Sequence, residues 1–247
     1  MTSLISCIIP VFNGERYLRY ALESIFAQTY RPLEVIIADD GSTDGTAAVA
    51  AAYGEKVIYL RQDNAGPSAA RNLGLSVAHG DFVAFLDQDD LWHQEKLARQ
   101  ISRFEARPEL ALCITFVQNF WIPELQAKAA RFADPALLQP FPGYVGTALL
   151  ARRALFDTVG QFDPSLYHAD LKDWFLRVAE QGAVLEVLSE VLVHRRLHET
   201  NMSHYKAVAY REEQLRIVKA ALDRRRRVSG AVHGQDQLPS FFRSEKK

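Results

Sequence analysis

The first 110 residues alternate between short apolar runs and segments of helical periodicity, and this alternation narrows the fold more than any other feature of the chain. Runs rich in Val, Ile, Leu and Phe at 4–9, 33–38, 57–60 and 81–86 read as strands buried on both faces. Between the first two, Tyr17, Leu18, Ala21, Leu22, Ile25 and Phe26 share one helical face, with Asn13 as the expected N-cap. The alanine-rich TDGTAAVAAAYG stops at Gly54, and PSAARNLGLSVAHG opens at Pro67 and closes at Gly80. Strands separated by helices predict an α/β fold with a mostly parallel, Rossmann-like sheet and helices on both faces. Ligands of such sheets bind outside the carboxyl ends of the strands.

Past residue 110 the pattern changes. LALCITFVQNFW reads as a further strand, whereas 122–142 holds four of the ten prolines and reads as an irregular connection. There follow a strand-like GYVGTALLA, a short helix to Val159, a turn GQFDPS, a helical ADLKDWFLRVAEQG and an apolar run AVLEVLSEVLV. A last helix is expected over 205–226, with a polar, frayed final twenty residues.

The balance of 29 Lys and Arg against 30 Asp and Glu excludes a globally basic nucleic-acid-binding protein. Cys7 and Cys113 each sit in an apolar run, as reduced, buried residues do, and two cysteines cannot build a disulfide framework. The N-terminal apolar stretch is short, lacks a basic leader and is interrupted by Pro10, so it reads as a strand and not as a signal peptide. No apolar run is long enough to span a bilayer, and a cytoplasmic protein is the expectation.

The strand-end rule singles out four loops: PVFNGE, DDGSTDG, RQDNAGPS and DQDDLW. In the last, Asp87, Asp89 and Asp90 repel one another unless a cation or hydrogen-bond donors compensate, which suggests a site for Mg²⁺ or Mn²⁺; one of them could instead cap the next helix. Asp40 ends the second strand in the same crevice, where a carboxylate can accept a base imide N–H or a ribose hydroxyl beside the Phe12 ring; Gly41, Ser42 and Asp44 read as turn residues. No dinucleotide fingerprint or Walker-type loop is present. Trp92 and Trp174 adjoin acidic residues and are candidates to stack on sugar rings. The basic run Arg224, Arg225, Arg226 and Arg227 suits a helix end, and could also hold the protein at the anionic inner face of a membrane.

IIPVFNGERYLRYALESIFAQTYRPLEVIIADDGSTDGT followed by NAGPSAARNLGLSVAHGDFVAFLDQDD resembles the inverting family 2 nucleotide-sugar glycosyltransferases, whose fold is the GT-A type. The likeness continues through GTALLARRALFDTVGQFD and RRLHETNMS. It implies one GT-A domain over 1–204, divided into a nucleotide-sugar half, 1–110, and an acceptor half, 111–204, with a helix and polar tail over 205–247. By the same resemblance Pro10, Phe12, Asn13, Glu15 and Asp40 hold the nucleoside, and Asn64, Gly66 and Arg71 complete the wall. The family's Asp-x-Asp falls on Asp87, Gln88 and Asp89, with Asp89 the expected metal ligand. Its Arg-x-His element falls on Arg196 and His198, which makes His198 a further ligand or a diphosphate contact.

The implied reaction moves a sugar from a nucleoside diphosphate, UDP by family habit, to the hydroxyl of a glycan, a lipid-linked molecule or another acceptor. Here the sequence departs from the family. Counting back from Arg177 aligns Asp170 with the first position of an acidic pair and Leu171 with the second, where the catalytic aspartate normally sits. Asp170 or Asp173 must then serve as base; alternatively, Asp170 only favours the helix dipole and Asp173 is a solvated surface residue. Two rivals follow: a nucleotide-sugar-binding protein without transfer activity, and a nucleotidyltransferase, which would show a basic glycine-rich loop that PVFNGE lacks.

Overall fold

The structure is a computed structural model that describes the backbone of residues 2–132, 134–199, 201 and 207–229, and the side chains of 2–127, 134–199, 201 and 211–226. β1 (Ile5–Val11) is buried along its whole length and pairs in parallel with β2 (Leu33–Asp39) and β4 (Phe82–Phe85). β2 in turn pairs in parallel with β3 (Ile58–Arg61). Successive side chains of a strand point to opposite faces. Accordingly Ile5, Cys7, Ile9 and Val11 share one core with α1 (Leu18–Phe26) and α4 (Lys96–Ala106), while Ile8 lies in a second core with α3 (Pro67–Ser76), α6 (Ala154–Val159) and α7 (Asp170–Glu180). Both faces of the parallel half are therefore covered. Both cysteines are buried and unpaired.

The second half of the sheet is mixed. β8 (Leu150–Arg152) joins β4 to β6 (Leu110–Trp121), antiparallel to both, and β9 (Val184–Leu197) runs parallel to β6. β5 (Leu91–Trp92) closes the order β3-β2-β1-β4-β8-β6-β9-β5, and β7 (Phe141–Pro142) pairs with β6 to one side of that path. Register shifts between β6 and β9 at Thr115, Phe116 and Val117 bend the pair, and beyond them His194 lies opposite Leu91, just past the DQDD loop.

Several local expectations need correction. Asn13 is not an N-cap: it stands in the left-handed region at φ 51°, and α1 begins only after a turn in which Leu18 N–H donates to the Gly14 carbonyl at 2.9 Å. The proline-rich 122–142 contains α5 (Pro123–Phe132) and a 3-10 turn over Pro135–Leu138. Pro123 opens its helix, at the position where a missing N–H costs nothing. GYVGTALLA is not one strand but a 3-10 turn at Gly146–Ala148 followed by β8.

A short α2 (Thr46–Ala51) follows β2, and the last helix, α8 (Ala207–Ser229), packs through Ile217 and Ala221 on Leu176 of α7 and on Leu166 and Ala169 of the segment before it. The polar end expected to fray lies, from 230 onward, outside the described residues. Among the described residues, no helix is long and apolar enough to cross a membrane.

Candidate active site

The loops after β1 and β2 are bound to each other. Asn13 N–H donates to Ser42 Oγ at 2.9 Å and Asn13 Oδ1 accepts from Thr43 N–H at 2.8 Å. Glu15 N–H donates to Asp44 at 3.0 Å while the Glu15 carboxylate accepts from Gly45 N–H at 3.0 Å. The side chains of Asn13 and Glu15 thus serve the shape of the crevice wall. Pro10 is buried in β1, and Phe12 beyond it is 44% exposed. Asp40, buried, accepts from Gln62 Nε2 at 2.7 Å, Ala65 N–H at 2.9 Å and Gly66 N–H at 2.8 Å, so it holds the loop carrying Asn64 and Gly66 against the end of β2. Gly66 is at φ +92°, and a Cβ there would stand 3.2 Å from Tyr167 Cδ2.

Gln88 ties this wall to the acidic loop: its Oε1 accepts from Phe12 N–H at 2.8 Å and its Nε2 donates to the Phe12 carbonyl at 3.1 Å. The approach requires Gly14, because a Cβ there would lie 2.8 Å from Gln88 Oε1 and 2.5 Å from Val11 Cγ2. Next in sequence, the Asp89 carboxylate meets His198 Nε2 at 2.9 Å and accepts from Asn201 Nδ2 at 3.3 Å. Asn201 also accepts from His198 N–H at 2.6 Å, fixing the turn that presents the imidazole. Arg196 donates from Nε to the Asp89 carbonyl at 2.9 Å, with its guanidinium over the rings of Tyr17, Tyr20 and Phe120.

None of the three aspartates caps α4. Asp90 is buried and accepts from Arg196 N–H at 3.1 Å; burial, then the nearby Asp89 and Asp87 charges, push its carboxyl well above the ordinary range. Desolvation in the crevice raises Asp87 as well, against the pull of Arg71. A carboxylate cluster with raised affinity for protons is one that a cation would relieve. Among the described residues no three His, Cys, Asp or Glu side chains surround one point. Asp89 and His198 face each other as an oxygen and a nitrogen donor, a pair of the kind that would hold a divalent cation.

Arg71 joins the acidic loop to α7. Its guanidinium is buried, with Nη1 2.7 Å from Asp170 Oδ2 and Nη2 3.2 Å from Asp87 Oδ1. Its Nε is buried with no partner among the described residues. Asp173 has different neighbours: Arg177 Nε at 2.8 Å and Arg224 at 3.7 Å, in a cleft between α7 and α8 also lined by Asp163 and Arg216. Leu171 packs on the second core, and a Cβ placed on Gly146 would touch its Cδ1 at 3.5 Å.

Two expected sugar platforms are core residues instead. Trp174 is fully buried, stacks on Phe156 and donates from Nε1 to the Gly160 carbonyl at 3.0 Å. Trp92 is buried, donates to the Thr147 carbonyl at 2.8 Å and lies under Lys96, whose ammonium is 4.3 Å from the ring centroid. In each case burial of the ring and a carbonyl for its N–H leave no face for a ligand. The basic run is likewise divided: Arg224 pairs with Glu180 at 2.6 Å, Arg226 is exposed beside Asp223, and the Arg227 side chain lies outside the described residues. Arg196 and Asn201 are residues of this cluster for which the sequence proposed no role of their own; Asp90, expected with Asp87 and Asp89 at a cation site, accepts from Arg196 N–H. The Arg-x-His element could have pointed to Arg196; nothing local marks Asn201.

The family model described as Glycosyl transferase family 2 matches residues 6–160. An uncharacterized glycosyltransferase of Rickettsia typhi is 30% identical over 212 residues, covering 81% of this chain and 66% of that protein. Another, of Nostoc, is 30% identical over 226 residues, 85% of this chain and 69% of its own length. Among solved structures, S. aureus TarS in complex with UDP-GlcNAc superposes with a TM-score of 0.63 at 22% identity, over 84% of this chain and 62% of that one. The mannosyltransferase PcManGT from Pyrobaculum calidifontis, in complex with GDP-Man and Mn²⁺, gives 0.62 at 20% identity, over 83% and 60%. These likenesses show the GT-A type fold expected from the resemblance. With the sequence match running through every loop that builds the crevice from Pro10 to Asp89, the chain belongs to glycosyl transferase family 2.

Proposed function

We propose that the protein transfers a sugar from a nucleoside diphosphate to an acceptor hydroxyl with inversion, using Asp170 as general base and Asp89 with His198 as its share of a Mn²⁺ or Mg²⁺ site. The observation that carries this is the chain Asp170, Arg71, Asp87, which ties a carboxylate at the start of α7 to the acidic loop two residues from Asp89. UDP is the first nucleotide to test, since the TarS complex holds UDP-GlcNAc; PcManGT, with GDP-Man and Mn²⁺, makes GDP the second. Phe12 offers a ring to the base, while Asp40, through Gly66 and Ala65, holds the opposite wall.

A divalent cation at Asp89 and His198 would supply charge where the departing diphosphate becomes more negative. Arg71 Nη1 donates to Asp170 Oδ2 at 2.7 Å, beside the carboxylate oxygen that would take the acceptor proton. A diphosphate bound beside Asp87 would compete for the same guanidinium and leave Asp170 able to accept the acceptor proton. Asp173 is the weaker candidate, because it lies in the cleft between α7 and α8, paired with Arg177 and Arg224 and not with the arginine that reaches the acidic loop. Leu171 favours a second reading, a protein that binds the donor without transferring it, since the family's base position is here packed into an apolar core.

One comparison separates these. Release of UDP or GDP from UDP-GlcNAc and GDP-Man is followed with Mn²⁺ for the wild type, Asp170→Asn and Asp173→Asn, together with donor affinity. Loss of a general base lowers turnover by about 10²–10⁴-fold. Asp170→Asn is expected to fall in that range with donor affinity intact. Full activity of Asp170→Asn sinks the assignment, and binding without turnover in the wild type favours the second reading.

A further inference from the structure

The helix that carries Asp170 has no cap of its own. Its N-cap residue is Ala169, which offers no side-chain acceptor, yet three backbone donors precede the first helical residue. All three are taken by one side chain of α8: Glu213 accepts from Tyr167 N–H at 3.0 Å, His168 N–H at 2.7 Å and Ala169 N–H at 2.9 Å. On its other side the same segment is held to the donor half. Ser68 Oγ donates to the Leu166 carbonyl at 2.8 Å, and the Tyr167 ring lies against Gly66, whose own N–H is bound by Asp40. The next residue along the chain is Asp170, 2.7 Å from Arg71.

We infer that Glu213 is a positioning residue: acting through the backbone of 167–169, it sets where Asp170 stands relative to the acidic loop. The inference rests on the assignment of Asp170 as base. It makes α8, which lies wholly beyond the family match over 6–160, part of what aligns the catalytic centre. A charged acceptor is suited to the task, because hydrogen bonds to a carboxylate are shorter and stronger than those to a neutral group, and one carboxylate with two oxygens can hold three consecutive donors. Misplacement of a reacting group by about 1 Å can cost 10²-fold in rate.

The test uses the full chain and the donor-release assay with UDP-GlcNAc and GDP-Man, combined with amide hydrogen exchange. Glu213→Ala is expected to lower kcat at least tenfold with the donor KM within threefold of wild type. Exchange in peptides covering 166–173 should rise at least tenfold while that of β1 and β4 is unchanged. Glu213→Gln, which keeps one accepting oxygen, should recover part of kcat. Leu215→Ala, 67% exposed on the same helix, should match wild type in both measurements. Wild-type kcat in Glu213→Ala overturns the proposal, as does equal loss of kcat and donor binding with faster exchange throughout. If the wild type releases nucleotide from neither donor, unchanged protection at 167–173 overturns it alone. A fully active Asp170→Asn would defeat the base assignment beneath it, whereas an inactive Asp170→Asn beside a fully active Glu213→Ala defeats only the role of Glu213.

Discussion

Arg71 is where the two halves of the site meet, and the energetics of one guanidinium between two carboxylates are testable. Removing one member of a buried ion pair commonly costs about 3–5 kcal/mol, because the partner is left charged without compensation. Arg71→Ala should therefore lose about that much stability in urea unfolding, and adding Asp170→Asn should restore part of it. A double-mutant cycle is expected to show a coupling above about 1 kcal/mol, and strict additivity would deny the contact. Lys96 gives a second case. Fully buried, it donates to Gln100 Oε1 at 2.9 Å, and burial lowers its ammonium from the ordinary 10.5 to about 7. Between those values the unfolded chain binds a proton that the folded protein does not. Stability should thus rise with pH across that window, at up to about 1.4 kcal/mol per pH unit, and lie at its low plateau below pH 7. Lys96→Met is expected to remove that slope from urea midpoints measured between pH 7 and 10; an identical slope in the variant would contradict the burial argument.

At this scale the sequence was legible where function is concentrated in a short run, as in Asp87, Gln88 and Asp89. It was not legible where a side chain is satisfied by something distant. Trp92 finds its acceptor 55 residues away and Trp174 finds its own in a loop carbonyl, so their adjacency to acidic residues carried no information about exposure. The pairing of His198 with Asp89 spans 109 residues and entered only through the family's Arg-x-His element.

Among the elements, the parallel strands were readable because helices cover both their faces, which forces continuous apolar runs. β5, β7 and β8 have two or three residues each, too few to leave a periodicity, and their places in the sheet follow from β6 and β9. The sequence marks α8 as a helix but not its attachment, since Glu213 and Arg224 look like any charges on a polar helix until α7 lies beside them. That attachment predicts an asymmetry within the basic run. Arg224 makes two hydrogen bonds to Glu180, at 2.6 and 3.3 Å, so Arg224→Ala should cost about 1.5–3 kcal/mol in thermal or urea unfolding. Arg226, 80% exposed, should change stability by less than about 0.5 kcal/mol when replaced by Ala. Equal effects would mean that α8 is not docked as described.

Across the whole molecule, the site gathers residues from Phe12 to Asn201, and it does so because the sheet changes character at β4. The parallel half brings the loops after β1, β2 and β4 to one edge, and the bent β6 and β9 pair returns the chain so that His198 faces Asp89. A near-neutral total charge conceals this arrangement: an acidic crevice is set against arginines that are largely spent on internal partners. The proposed function requires the crevice to take a nucleoside diphosphate together with a cation held at Asp89. Calorimetric titration of the wild type and Asp89→Ala with UDP, GDP and dTDP, each with and without Mn²⁺, tests this most directly. At least one nucleotide is expected to bind the wild type at least tenfold more tightly with Mn²⁺, and Asp89→Ala to lose the difference. Binding of none of the three, or binding indifferent to Mn²⁺ in the wild type, would contradict it.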